Sequence, residues 1–133
     1  MKGDLVMGLD MYLFKHKKNN QISNNDEELM YWRKVNQIRS WIVRNTDYND
    51  DWDCKPFDLS KQTLEALYAD CELVLNNHNK AQEIMPTSNG FFFGSDAYDE
   101  WYFENIKYTR DTIKHILETT DFETDTVYYY EWW

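Results

Sequence analysis

The chain has 133 residues, a formal net charge of −10 and a pI near 4.6. Six Trp, ten Tyr and seven Phe must supply much of its core, while only four Gly and two Pro argue against a disordered or low-complexity chain. The charge disfavours a broad DNA- or anionic-membrane-binding face, but leaves room for a local positive pocket or for an acidic surface aimed at a basic protein.

The segment MGLDMYL at 7–13 would serve as a start, so residues 1–6 read as an N-terminal extension of a single domain over 7–133. No apolar run has the length of a membrane span or a signal-peptide core, and Cys54 and Cys71 form no C-x-x-C pair. The expectation is a soluble protein of the reducing cytoplasm. Residues 9–14 alternate, with Leu9, Met11 and Leu13 on one face and Asp10, Tyr12 and Phe14 on the other, which predicts a first strand ended by Lys15-His16-Lys17-Lys18. A polar loop follows over 19–25.

Asn25 or Asp26 is then placed to cap a helix running to about Asn45, with Tyr31, Val35, Ile38 and Ile42 at helical spacing. On that helix Arg33, Lys34, Gln37, Arg39 and Arg44 form an outward basic strip. Trp32, Arg33, Lys34, Asn36 and Arg39 therefore become candidate partner-binding residues, because Trp and Arg are enriched at interface hot spots. A second reading stands beside it, in which Trp32 completes the core and the bases pair with nearby acids such as Glu27 and Glu28.

The acidic loop 47–53 fails as an EF-hand, since its sixth and twelfth positions are Trp52 and Asp58, so no metal site is expected. A short extended piece at 57–59 leads to a helix capped by Ser60 with Leu64, Leu67, Cys71, Val74 and Leu75 inward, and one more turn is expected over 81–85. In GFFFGS (90–95) the phenylalanines read as interior, and Ser95 or Asp96 as the cap of a third helix. Gly94, Ser95, Tyr98 and Trp101 are the places where a partner or a stacked base could reach. Tyr102, Ile106, Thr109, Ile113 and Leu117 stripe that helix, and the aromatic tail 126–133 predicts a closing strand. The sum is α+β, about three helices packed on a small sheet.

No catalytic spacing is visible: His16, His78 and His115 are scattered, with no G-x-S-x-G or H-x-x-x-H. No cofactor and no catalytic residue is expected. The motifs MGLDMYL (7–13), YWRKVNQI (31–38), Asp53-Cys54, MPTSNGFFFGS (85–95), YDEWYFENIKYT (98–109) and the Trp-ended tail together resemble a family of small bacteriophage and prophage proteins. The resemblance covers most of the chain and brings no catalytic residues. It implies a context: a non-enzymatic protein made in the host bacterial cytoplasm that counteracts host defence by binding a host protein or sequestering a small nucleotide-like signal. The alternatives are an acidic DNA mimic, using acids at 26–28, 47–53, 96–104 and 118–125, and a small hydrolase. The aromatic tail also suits a self-complementary contact in a homo-oligomer. Direct DNA binding and membrane association are not expected.

Overall fold

The computed structural model describes residues 8–48, 55–88 and 96–132. In chain order these form β1 (Asp10–Lys17), β2 (Glu27–Arg33), α1 (Asn36–Asn45), β3 (Phe57–Leu59), α2 (Lys61–Asn76), a 3₁₀ turn at His78–Lys80, α3 (Ala81–Ile84), α4 (Glu100–Thr119) and β4 (Asp125–Trp132). The strands make one antiparallel sheet in the order β2-β1-β4-β3. The protein is a small α+β fold. No helix of the described residues is long and apolar enough to cross a membrane.

Period-two alternation decides which side of each strand is inside. In the β1–β4 register Met11 faces Glu131, Leu13 faces Tyr129 and Lys15 faces Val127, while Tyr12 faces Tyr130 and Phe14 faces Tyr128. Met11, Leu13, Val127 and Tyr129 are fully buried, together with Ile38, Trp41, Ile42, Leu64, Leu67, Tyr102, Ile106 and Ile113 from the helices. α2 lies along α4, and the Trp41 indole N–H donates to Asp70 Oδ2 at 2.7 Å, tying α1 to α2.

The helix expected from residue 25 or 26 to Asn45 is divided. Residues 27–33 are strand β2, and the helix occupies only Asn36–Asn45. Met30 and Trp32 are buried while Tyr31 and Arg33 are exposed, so the local period is two rather than 3.6. Lys34, at φ 57°, turns the chain in the left-handed region and donates its N–H to the Leu9 carbonyl at 2.7 Å. Asp26 is accordingly no helix cap. β1 also continues through the basic cluster to Lys17, because Lys15 and Lys17 find Glu27 at 3.5 Å and Asp125 at 2.9 Å.

β3, α2, α3 and β4 fall close to where the sequence puts them. Ser60 Oγ accepts from the Thr63 N–H at 3.1 Å and caps α2. α4 is capped by Asp99, whose Oδ1 accepts from the Tyr102 N–H at 3.0 Å, rather than by Asp96. Ser95, Gly94 and the three phenylalanines lie outside the described residues, as do Cys54 and most of the acidic loop.

A buried ion pair crosses the core. Arg39 Nε and Nη2 donate to the two Glu131 carboxylate oxygens at 2.8 and 3.0 Å, and the Tyr129 hydroxyl donates to Oε1 at 2.8 Å. Removing one partner strands the other charge in the interior. Glu131→Ala is expected to destabilise the fold by about 3–5 kcal/mol in urea denaturation, and Arg39→Met with Glu131→Leu to recover most of that loss.

Candidate functional site

The residues singled out from the sequence do not share one surface. Trp32 is buried, and its indole N–H donates to Thr109 Oγ1 at 2.8 Å, linking β2 to α4. The outward basic strip is not present as such, since Gln37 and Arg39 are buried too. Asn36 is buried and accepts from the Ser88 N–H at 2.9 Å; Tyr98 accepts from the Thr87 N–H at 3.1 Å. Both therefore hold the 85–88 segment in place. Lys34 makes the turn, Arg33 stands on the sheet with its Nε 3.8 Å from Asp10, and Trp101 is exposed on α4. Of the acids suspected of imitating DNA, Glu27 and Glu28 are on β2, Asp99 and Glu100 stand at the start of α4, Glu118, Asp121 and Glu123 lie around its finish, and most of 47–53 is outside the described residues. Twenty helical residues separate those ends by about 30 Å.

What the register does bring together is a second aromatic layer, on the face of the sheet turned away from the core. β1 contributes Tyr12, Phe14 and His16; β2 contributes Tyr31; β4 contributes Tyr128, Tyr130 and Trp132. The rings touch in sequence: Tyr12 on Phe14 at 5.4 Å, Tyr12 on Tyr31 at 5.2 Å, Tyr12 with Tyr130 at 6.4 Å, and Phe14 on Tyr128 at 5.5 Å. Among the described residues this face is flanked by the 18–26 loop, not by a helix. Ile22, Ser23 and Asn24 of that loop, with Pro56, complete a groove of about 720 Å³ along the rings. Trp132 (51% exposed), Tyr31 (38%) and Ile22 (45%) present apolar surface to solvent, an unusual expenditure of large side chains unless something covers them.

Carboxylates fix the tyrosines of this face. The Tyr31 hydroxyl donates to Asp10 Oδ1 at 2.6 Å, and the Tyr128 hydroxyl to Asp26 Oδ2 at 2.7 Å. Burial and then the Asp10 contact push the Tyr31 hydroxyl up to about 12. Tyr12 is also raised, by burial first and then by the negative charges of Asp10 and Glu28. For Asp26, burial opposes the charge, but the Ser23 N–H and the Tyr128 hydroxyl outweigh it and hold the carboxyl below its usual range. By register, Glu28 opposite Phe14 and Asp58 opposite Tyr128 lie on the same face, where Arg33 is the guanidinium supplied by the strands. Among the described residues the strands thus set more carboxylates than cations over the rings.

The groups with reactive chemistry lie elsewhere or are occupied. Cys71 is fully buried, and burial pushes its thiol well above the ordinary value, which leaves it inert as a nucleophile. His78 stacks on Phe103 at 3.8 Å, His16 sits edge-on to Tyr128, and His115 is on α4. Among the described residues no group of three His, Cys, Asp or Glu could hold a metal ion. A second hollow of about 680 Å³ at the start of α2 is lined by Lys18, Lys61, Asp58, Asp121 and Glu123, and it lacks the stacked rings of the first.

Comparison with known proteins gives no relative: no protein-family model, no curated protein and no solved structure matches this chain.

The Asp26 clamp gives a pH dependence. Its folded carboxyl, like that of Asp125 beside Lys17, titrates below the ordinary 3.8. Stability from both is therefore complete above the unfolded value and is lost as the pH falls through the folded one. Thermal melting should be level from neutrality to about pH 5 and fall below about pH 4. Asp26→Asn should flatten part of that acid limb.

Proposed function

We propose that this chain is a non-enzymatic binding protein that docks a basic partner protein on the open face of its sheet. One observation carries the reading: Tyr12, Phe14, Tyr31, Tyr128 and Tyr130 form a connected layer of rings on the face away from the helices, and Trp132 lines the groove along it. Tyr and Trp supply large contact area at low entropic cost, and they dominate interface energetics. The surrounding carboxylates and the net charge of −10 choose the sign of the partner. The same field disfavours an anionic nucleotide. The resemblance to phage proteins supports a bacterial host protein as that partner, with interference in host defence as the outcome.

The test is recovery of a stoichiometric complex. Tagged protein made in bacteria should retain one host protein through purification, at roughly one copy per chain if the interface is of standard size. The Tyr12→Ala/Trp132→Ala variant, folded by circular dichroism, should lose it. Equal recovery by the variant would remove the face from the proposal. A nucleotide released on denaturation, detected by mass spectrometry and absent from the variant, would replace a protein partner with a small ligand.

A further inference from the structure

The proposed docking face carries chemistry more specific than negative charge, and we infer that its groove receives an arginine side chain from an extended basic segment of the partner. This deepens the reading above and rests on it.

The first argument is geometric. Tyr128, Tyr130 and Trp132 recur at every second residue of β4, and Tyr12 and Phe14 run beside them on β1. Alternate residues of a strand are about 6.6–6.8 Å apart, so the groove is floored by a double row of aromatic side chains at the repeat of an extended peptide. A segment lying along it would aim every second side chain at a ring. The adjoining rings Tyr12 and Phe14 stack on one another, 5.4 Å apart with 22° between planes, and Tyr31 and Tyr130 tilt against Tyr12, so the rings brace each other along the groove.

The second argument concerns which cation suits that surface. A guanidinium is planar and weakly hydrated, so it stacks on a ring and still offers its edge N–H groups. An ammonium is a strongly hydrated point charge that needs a surrounding shell. Acceptors for those edge N–H groups stand at the margin of the rings: the Asp10 carboxylate beside Tyr31, the Glu28 side chain beside Phe14, and the phenol oxygens themselves. Within the sheet, Arg33 already pairs with Asp10 at 3.8 Å from the edge strand, which shows that a guanidinium can approach this carboxylate. A planar nucleobase would find the same rings, but its phosphates would meet Asp10, Asp26, Glu28 and Asp58.

The third argument is the contrast between this face and the basic residues of β1. Lys15 and Lys17 are turned to the core side of the sheet, where Glu27 and Asp125 neutralise them. The lysines of β1 are thus taken away from the groove, and among the described residues of the strands Arg33 is the one full cation on its side of the sheet.

The test uses the full-length chain and calorimetric titration at physiological salt with four defined probes. These are an alternating Arg-Ser peptide of about eight residues, matching the length of β4, its Lys-Ser and citrulline-Ser counterparts, and oligothymidylate. The Arg peptide should bind about tenfold more tightly than the Lys peptide, and the uncharged citrulline peptide should lose measurable binding. Trp132→Ala and Tyr12→Ala should each weaken the Arg peptide several-fold while remaining folded by circular dichroism at the titration temperature. Asp10→Asn, which keeps every ring, should weaken it too and reduce its preference over Lys. Equal affinity for the Arg and Lys peptides, both lost in the ring variants, would overturn the guanidinium inference and leave the docking face standing. Tighter binding of oligothymidylate than of either peptide would overturn it as well. Arg-peptide binding that none of the three variants changes, together with unchanged recovery of a cellular partner, would sink both this inference and the reading beneath it.

Discussion

The eight-residue pairing of β1 with β4, from Asp10 opposite Trp132 to Lys17 opposite Asp125, assigns every ring in the two strands to one side of the sheet or the other. A slip of one residue would exchange the sets, sending Met11, Leu13 and Tyr129 to solvent and Tyr12, Phe14 and Tyr130 into the core. Both sets are apolar enough that hydrophobicity alone discriminates weakly between the two registers. Glu131 supplies the discrimination. In the observed register it meets Arg39 and the Tyr129 hydroxyl in the interior; in the slipped one Arg39 would remain buried without its carboxylate. The ion pair contributes less to net stability than to making the wrong sheet costly.

Given that register, the rest of the open face follows from local satisfaction of polar groups. Tyrosine serves in both layers, but its hydroxyl must be hydrogen-bonded when it is shielded from water. Inside, Tyr129 uses Glu131 and Tyr102 uses the Met85 carbonyl at 2.6 Å. Outside, Tyr31 and Tyr128 use Asp10 and Asp26. The outer carboxylates therefore both hold the rings in fixed orientations and set the sign of the field above them. A similar economy appears at the outer edge of β2, where the Tyr108 hydroxyl of α4 accepts from the Tyr31 N–H at 3.3 Å and occupies a donor that a stray strand would otherwise find.

Much of the fold was legible because its signals are local. Ser60 before a 3.6-period stripe, the Tyr102–Ile106–Thr109–Ile113 series and the alternation of 9–14 each specify one element without help from elsewhere. Residues 27–33 look helical in the sequence because Tyr31, Val35, Ile38 and Ile42 keep a helical interval across a strand, a turn and a helix. The overriding information was tertiary: the left-handed turn at Lys34 and the pairing of Met30 and Trp32 with Leu13 and Met11. The expected site changes with it: Trp32, Asn36 and Arg39, which a single exposed helix would turn outward, are interior. The open-face rings left a trace in the sequence. β4 places aromatics on both of its faces and β1 sets Tyr12 and Phe14 opposite its apolar Met11 and Leu13, and with helices on one side of a four-stranded sheet only one of those faces can be core. The alternation of β1 is plain in the sequence, but which face it leaves uncovered depends on β4, more than a hundred residues away.

That distance has a further consequence, for synthesis. β1 and β4 are the two central strands, yet the stretch between them is nearly the whole chain, so the middle of the sheet cannot close until residues 125–132 have left the ribosome. At ordinary elongation rates the interval is on the order of ten seconds. Throughout it, a nascent β1–β2 hairpin would carry one unpaired edge flanked by Met11, Leu13, Tyr12 and Phe14. The chain is thus exposed to misassembly chiefly while it is being made, and abundant production should place its demand on chaperones at that stage.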